Sequence, residues 1–147
     1  MKYKRIMGID YGDRRIGIAL TDLMQIIASP FEVYKTVNEN IDIEYICNMI
    51  KSQQVETVVI GLPLNIDGSE GERARKTRHF GLKISEKIND ANIIFQDERL
   101  TSVEAEDILS NAKIKPKDRK SLIDKLSACI ILENYLNERR ENEKRNG

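Results

Sequence analysis

Apolar positions in this chain follow two periods, and the switch between them sets its organisation. Residues 5–10, 16–21 and 31–36 carry short apolar or alternating runs bounded by glycines, a proline and polar turns. They predict three strands whose short connections make an antiparallel meander. From Ile41 the period lengthens, with Ile43, Ile46, Cys47 and Ile50 at i, i+3, i+4 and i+7, which predicts an amphipathic helix lying on one sheet face. Thr57–Ile60 is a continuous β-branched run, the pattern of a central parallel strand buried on both sides. Gly61-Leu62-Pro63 ends it, and Asn65-Ile66-Asp67-Gly68 makes a turn. Ser69-Glu70-Gly71-Glu72 then fits a capping box opening a helix whose stripe is Ala74, Thr77, Gly81, Ile84 and Ile88.

Ile93-Ile94-Phe95 is the fifth strand and runs directly into Gln96-Asp97-Glu98-Arg99. Thr101-Ser102-Val103-Glu104 offers a second capping box for a short helix reaching about Ser110. Residues 111–120 hold a proline and five basic residues against one acid, which reads as a mobile basic loop. A last helix from near Ser121 sends Leu122, Leu126, Cys129, Ile130 and Leu132 to the core. No apolar residue follows Leu136, so 137–147 is expected to be a charged, disordered tail behind one domain over 1–136. Right-handed crossovers turn this element order into an α/β fold, a mixed five-stranded sheet of order 3-2-1-4-5 with helices on both faces.

Composition narrows the chemistry. Lysine plus arginine equals aspartate plus glutamate at 24 each, so attraction for a polyanion has to be local. His79 is the only histidine, which leaves no means of building a zinc site or a Ser-His-Asp triad and shifts any catalysis onto carboxylates. Cys47 and Cys129 sit in helix-patterned stretches without metal-type spacing and read as buried free thiols of a reducing compartment. No apolar run approaches the roughly 20 residues of a membrane span, and no signal-peptide pattern precedes the first strand. The expected location is cytoplasmic.

Ligand sites in such sheets lie beyond the carboxyl ends of the parallel strands. Asp10 ends the first strand at a glycine turn, Asp97 and Glu98 end the fifth, and Asp124 opens the closing helix from which it could reach the same edge. Oxygen donors without thiol or imidazole suit Mg²⁺ or Mn²⁺, and two ions about 3.5–4 Å apart would serve phosphodiester hydrolysis. Each acid also has a plain alternative: Asp10 as a turn former, Asp97 or Glu98 as a surface ion pair with Arg99, Asp124 as a capping-box partner of Ser121. Arg73 and Lys76 near a helix start, with Arg99, Lys115, Lys117 and Lys125, are candidate contacts to a nucleic-acid backbone, although a basic helix can equally be a solvated one.

Five blocks then carry a resemblance over roughly residues 4–136: Gly8-Ile9-Asp10-Tyr11-Gly12, Ile60-Gly61-Leu62-Pro63, Asp67-Gly68-Ser69-Glu70-Gly71, Asp97-Glu98-Arg99-Leu100-Thr101-Ser102 and Ile123-Asp124-Lys125. In this order they resemble the YqgF family of RuvC-like, RNase H-fold bacterial proteins, a group associated with pre-16S rRNA nuclease and Holliday junction resolvase roles. The resemblance implies an RNase H-like fold and divalent-metal phosphodiester hydrolysis. It also implies Asp10, Glu98 and Asp124 as the catalytic and metal-holding triad, with Asp97 a possible additional acid. The wider RuvC-like group commonly has an acid at the end of the fourth strand; here Gly61-Leu62-Pro63 stands there, leaving Glu98 on the fifth. The favoured substrate is pre-rRNA, with maturation of the 16S 5′ end as the role. Branched DNA handled by a dimer and a non-catalytic nucleic-acid scaffold are the alternatives. The expected assembly is a monomer or weak homodimer.

Overall fold

The computed structural model describes residues 4–99 and 107–146, apart from the side chains of residues 120 and 121. The meander forms as its alternation predicts. Strands β1 (Arg5–Tyr11), β2 (Arg15–Thr21) and β3 (Ala28–Lys35) pair antiparallel, while β4 (Val55–Leu62) lies parallel to β1 and β5 (Asn92–Asp97) parallel to β4. The order is β3-β2-β1-β4-β5, as expected. Strand β3 starts three residues ahead of its predicted position, because Ala28, Ser29 and Pro30 pair with Thr21, Leu20 and Ala19. Proline is tolerated there since β3 is an edge strand with a register shift at that point.

Period-2 alternation divides the sheet between two helical layers. Met7, Ile9, Ile18 and Ile60 pack with Ile43, Ile46, Phe80 and Ile84, from helices α1 (Glu39–Ser52) and α2 (Glu72–Lys87). Ile6, Ala19 and Val59 pack with Ala128, Ile131 and Leu132 of α3 (Pro116–Asn146) on the other side. Gly8 shares the Ile6 face, where a Cβ would lie 2.7 Å from the Ala128 carbonyl oxygen and 2.9 Å from Leu132 Cβ. The missing side chain is what lets α3 lie directly on β1. Cys47 and Cys129 are free and buried, as their patterning predicts.

Four local expectations change. Ser69 does not cap α2: its N–H and hydroxyl donate to Asp67 Oδ1 at 2.9 and 2.6 Å, and the helix starts later, at Glu72, with Gly71 as an N-cap that offers no side-chain acceptor. The expected loop 111–120 is mostly helix. Residues 107–111 are helical and end in a Schellman turn, Ile114 N–H donating to Leu109 O and Lys113 N–H to Ser110 O, with Lys113 at φ 58° where glycine is usual. Pro116, whose missing N–H costs nothing at a first helical position, opens α3 straight afterwards. Asp124 therefore sits in the third turn of α3 rather than its first, which removes the capping-box role.

The charged tail, finally, continues α3 to Asn146 instead of being disordered. Arg139 donates to Gln25 Oε1 at 3.0 Å, Arg140 to the Ile26 carbonyl at 2.6 Å, and Glu138 accepts from Gln96 at 3.0 Å. These polar ties to the 22–27 loop and to β5 replace the apolar contacts whose absence had suggested fraying. The second capping box, Thr101–Glu104, lies outside the described residues.

The Gly8 contact is directly testable. Gly8→Ala should lower stability by roughly 1–3 kcal/mol through overpacking against α3, seen as a lower urea midpoint by circular dichroism. An unchanged midpoint would show that α3 does not rest on β1 at this position.

Candidate active site

Strand parity decides which acids meet. Asp10 lies on the α3 face of β1, directly opposite Gly17 of β2. The β1–β4 register that aligns Ile9 with Ile60 puts Gly61 on its other flank. Strand β5 then aligns Gln96 with Gly61, so Glu98, two residues further, returns to that same face, its N–H donating to the Leu62 carbonyl at 3.1 Å. Asp10 is thus flanked by two glycines, and each gap is filled. A Cβ on Gly17 would stand 2.5 Å from the Asp124 carbonyl oxygen and 3.6 Å from Asp10 Cβ. A Cβ on Gly61 would stand 2.7 Å from Glu98 Oε2 and 2.4 Å from Ile131 Cδ1.

In that cradle the Asp10 and Glu98 carboxyl groups are in hydrogen-bond contact. Burial raises the Asp10 pKa above its ordinary value; the Arg73 guanidinium opposes this and the Asp124 charge adds to it. Burial, then the neighbouring Asp10 charge, pushes Glu98 up to about 8. The contact between the two carboxyls lowers Asp10 and raises Glu98, which weights the proton of the pair toward Glu98. The Asp124 carboxylate is held elsewhere, accepting from Arg15 Nη1 at 3.4 Å. Accordingly, no group of three metal-ligating side chains is drawn together among the described residues. The structure joins Asp10 to Glu98 and brings the Asp124 backbone over Gly17, with the third carboxylate occupied by an arginine.

Asp97 has the opposite parity and does not join them. Arg99 donates to it from Nε at 2.9 Å and pairs through Nη2 at 2.8 Å, and these bonds hold its carboxyl below the usual range. The surface ion-pair reading thus applies to Asp97 and not to Glu98. Of the candidate cations, Arg73 acts on both half-buried carboxyls, whereas Lys76 lies 3.8 Å from Asp13 and 3.7 Å from Glu72. Lys115, Lys117 and Lys125 are exposed on α3 and just ahead of it. Arg15 escaped sequence reasoning, yet its signal was present: it precedes Gly17 by two residues and so shares the face of Asp10.

A family model described as "RuvX: Holliday junction resolvase" matches residues 4–138. The chain belongs to the RuvX family. This is the YqgF group under its other name. A Halothermothrix orenii relative named "Putative pre-16S rRNA nuclease" is 46% identical over 133 residues, covering 90% of this chain and 94% of the relative. One of the same name from Lactococcus lactis subsp. cremoris is 39% identical over 136 residues, covering 91% and 94%. Among solved structures, Thermus thermophilus RuvC in complex with a Holliday junction substrate superposes with a TM-score of 0.57 at 13% identity, covering 94% of this chain and 96% of that one. The fowlpox virus resolvase bound to Holliday junction DNA gives 0.53 at 8% identity, covering 91% and 97%. These likenesses establish the fold, which is the expected RNase H-like one.

The proton on Glu98 sets the pH response of the metal-free protein. Because its folded pKa of about 8 exceeds the ordinary 4.5, the folded state retains a proton that the unfolded chain releases between those values. This contribution is fully present below about pH 4.5 and is lost as pH rises through about 8. Glu98→Gln should flatten that slope and stabilise the protein above pH 8 by on the order of a few kcal/mol. Urea midpoints in EDTA across pH 5–9 measure it; parallel profiles for variant and wild type would contradict the assignment.

Proposed function

We propose that this chain is a metal-dependent endonuclease hydrolysing phosphodiester bonds in precursor 16S rRNA, with Asp10, Glu98 and Asp124 as its working carboxylates. The observation that carries this reading is the half-buried Asp10–Glu98 pair at the carboxyl edge of the sheet, in a chain whose curated relatives bear a nuclease name over nearly their whole length. A half-buried pair of acids resists carrying two charges unaided, and a divalent cation in the proton's place would let both ionise. The donors are all hard oxygens, which fits Mg²⁺ or Mn²⁺.

Asp10 and Glu98 would hold the cation, with Asp124 completing the set once it leaves Arg15. When bound, such ions supply Lewis-acid charge that activates water and offsets the charge on the departing oxygen. The chain's own residues do the rest. Arg73 sets a positive potential beside the acids, and α2 begins at Glu72 with no side-chain cap on its first N–H groups, leaving that turn open to a phosphate. Arg15, released from Asp124, becomes a second cation at the edge.

The description of the family model favours a second reading, in which the same chemistry acts on a four-way DNA junction. Such resolvases generally work as two-fold dimers making paired nicks. One assay separates the two. With Mg²⁺ or Mn²⁺, wild type should cleave precursor 16S rRNA in preference to a four-way junction. Asp10→Asn and Asp124→Asn should lose more than the roughly 10–100-fold typical of removing an outer-shell metal partner. Paired symmetric nicks in the junction with intact rRNA would favour the resolvase; equal cleavage by all three proteins would end the metal-carboxylate reading. In calorimetry at pH 7, Mn²⁺ binding should release protons in proportion to occupancy, a signal that Glu98→Gln abolishes.

A further inference from the structure

The nine-residue segment 63–71 between β4 and α2 carries an apolar side chain that the fold does not use. Ile66 is 86% exposed, more than any other large hydrophobic side chain among the described residues. Nothing about its backbone is loose. Asn65 N–H donates to the Ser69 carbonyl at 2.9 Å and Gly68 N–H to the Asn65 carbonyl at 2.8 Å, with Gly68 at φ 89° closing the turn. Asp67 accepts from the N–H and the hydroxyl of Ser69, and Asn65 Nδ2 donates to Ser69 Oγ at 2.9 Å.

The turn is also fastened to the site. Arg99 Nη1 donates to the Ile66 carbonyl at 3.0 Å while the same guanidinium pairs with Asp97. Arg99 immediately follows Glu98, so the residue at the tip of the turn is coupled by one side chain to the strand end that delivers a proposed catalytic carboxylate. An isoleucine displayed in water gains nothing from folding there, since exposed substitutions away from special features change stability by only about 0.5 kcal/mol. An apolar side chain on a hydrogen-bonded turn, tied through Arg99 to the strand end that carries Glu98, has the attributes of a wedge between stacked bases. Exposed at the tip of the turn, the isoleucine is free to meet the hydrophobic faces of bases.

We infer that Ile66 inserts against the base next to the scissile phosphodiester and unstacks it, making this turn the element that selects base-stacked over unstructured RNA. This rests on the nuclease reading above. The test uses the full chain with Mn²⁺ and precursor 16S rRNA fragments carrying 2-aminopurine either next to the mapped cleavage position or about ten nucleotides away. In an Asp10→Asn background, binding should brighten the adjacent probe and not the distant one. Adding Ile66→Ala should remove the brightening while fluorescence anisotropy still reports binding within about threefold.

With Asp10 intact, Ile66→Ala should cut cleavage of the stacked substrate roughly tenfold, corresponding to about 1.4 kcal/mol, and leave an unstructured strand unaffected; Ile66→Leu should restore both signals. Thermal melts of Ile66→Ala should match wild type. Undiminished brightening, or equal losses on both substrates, would overturn the wedge and leave the nuclease reading standing. A wild type that cleaves no RNA with any divalent ion would overturn the nuclease reading and the wedge together.

Discussion

The close seating of α3 on the sheet is the constraint on which everything else depends. The helix reaches β1 and β2 at van der Waals range because Gly8 and Gly17 present no Cβ, and both contacts are to helix backbone, Ala128 O and Asp124 O, which cannot rotate aside. Packing at that range is set in steps of one methyl group rather than continuously. It fixes the height of Asp124 over Asp10. It also leaves the acids half-buried, with desolvation the leading influence on both Asp10 and Glu98. A helix held one side chain further away would have left the same carboxylates in water, ionised and mutually indifferent.

Within that frame the sheet edge is an arrangement of opposed charges held close to balance. Glu98 keeps a proton, Asp10 is stabilised by that proton and by Arg73, and Asp124 is neutralised by Arg15. Each acid thus has a partner of its own, Asp10 and Glu98 each other and Asp124 the Arg15 guanidinium. This explains how Asp10 and Glu98 can meet at one strand end without unfolding it, while the Asp124 carboxylate stays apart on Arg15.

Much of this was legible in the chain. Short apolar runs, the change of period at Ile41 and the β-branched stretch Thr57–Ile60 led to the five-stranded order, because burial on one face or two leaves different periodicities. The acids were legible as types and strand ends. What stayed hidden had specific causes. The Schellman turn at Lys113 uses a residue other than glycine, so a helix–turn–helix looked like a basic loop. The extension of α3 beyond Leu136 depends on arginine bonds to a loop over a hundred residues away in sequence, which no local pattern encodes. The choice between Asp97 and Glu98 was available in principle, since counting by twos from Gln96, level with Gly61, separates them; it required the register of β4 and β5.

The gap at Gly61 has a consequence for how relatives of this fold can differ. A side chain there would meet the Ile131 methyl from α3 and the Glu98 carboxylate supplied from the next strand. The wider RuvC-like group commonly places an acid at the end of this fourth strand, and such a side chain would compete for the space that Glu98 occupies here. The two layouts thus draw on one volume, and adding the first would require the ends of Glu98 and Ile131 to shift. A chain carrying both side chains would have to move the ends of Glu98 and Ile131 aside, while one carrying neither would leave the cradle short of an acid. The glycine is in that sense a record of which strand provides the charge, and it can be read from sequence in any member whose fourth strand is recognisable.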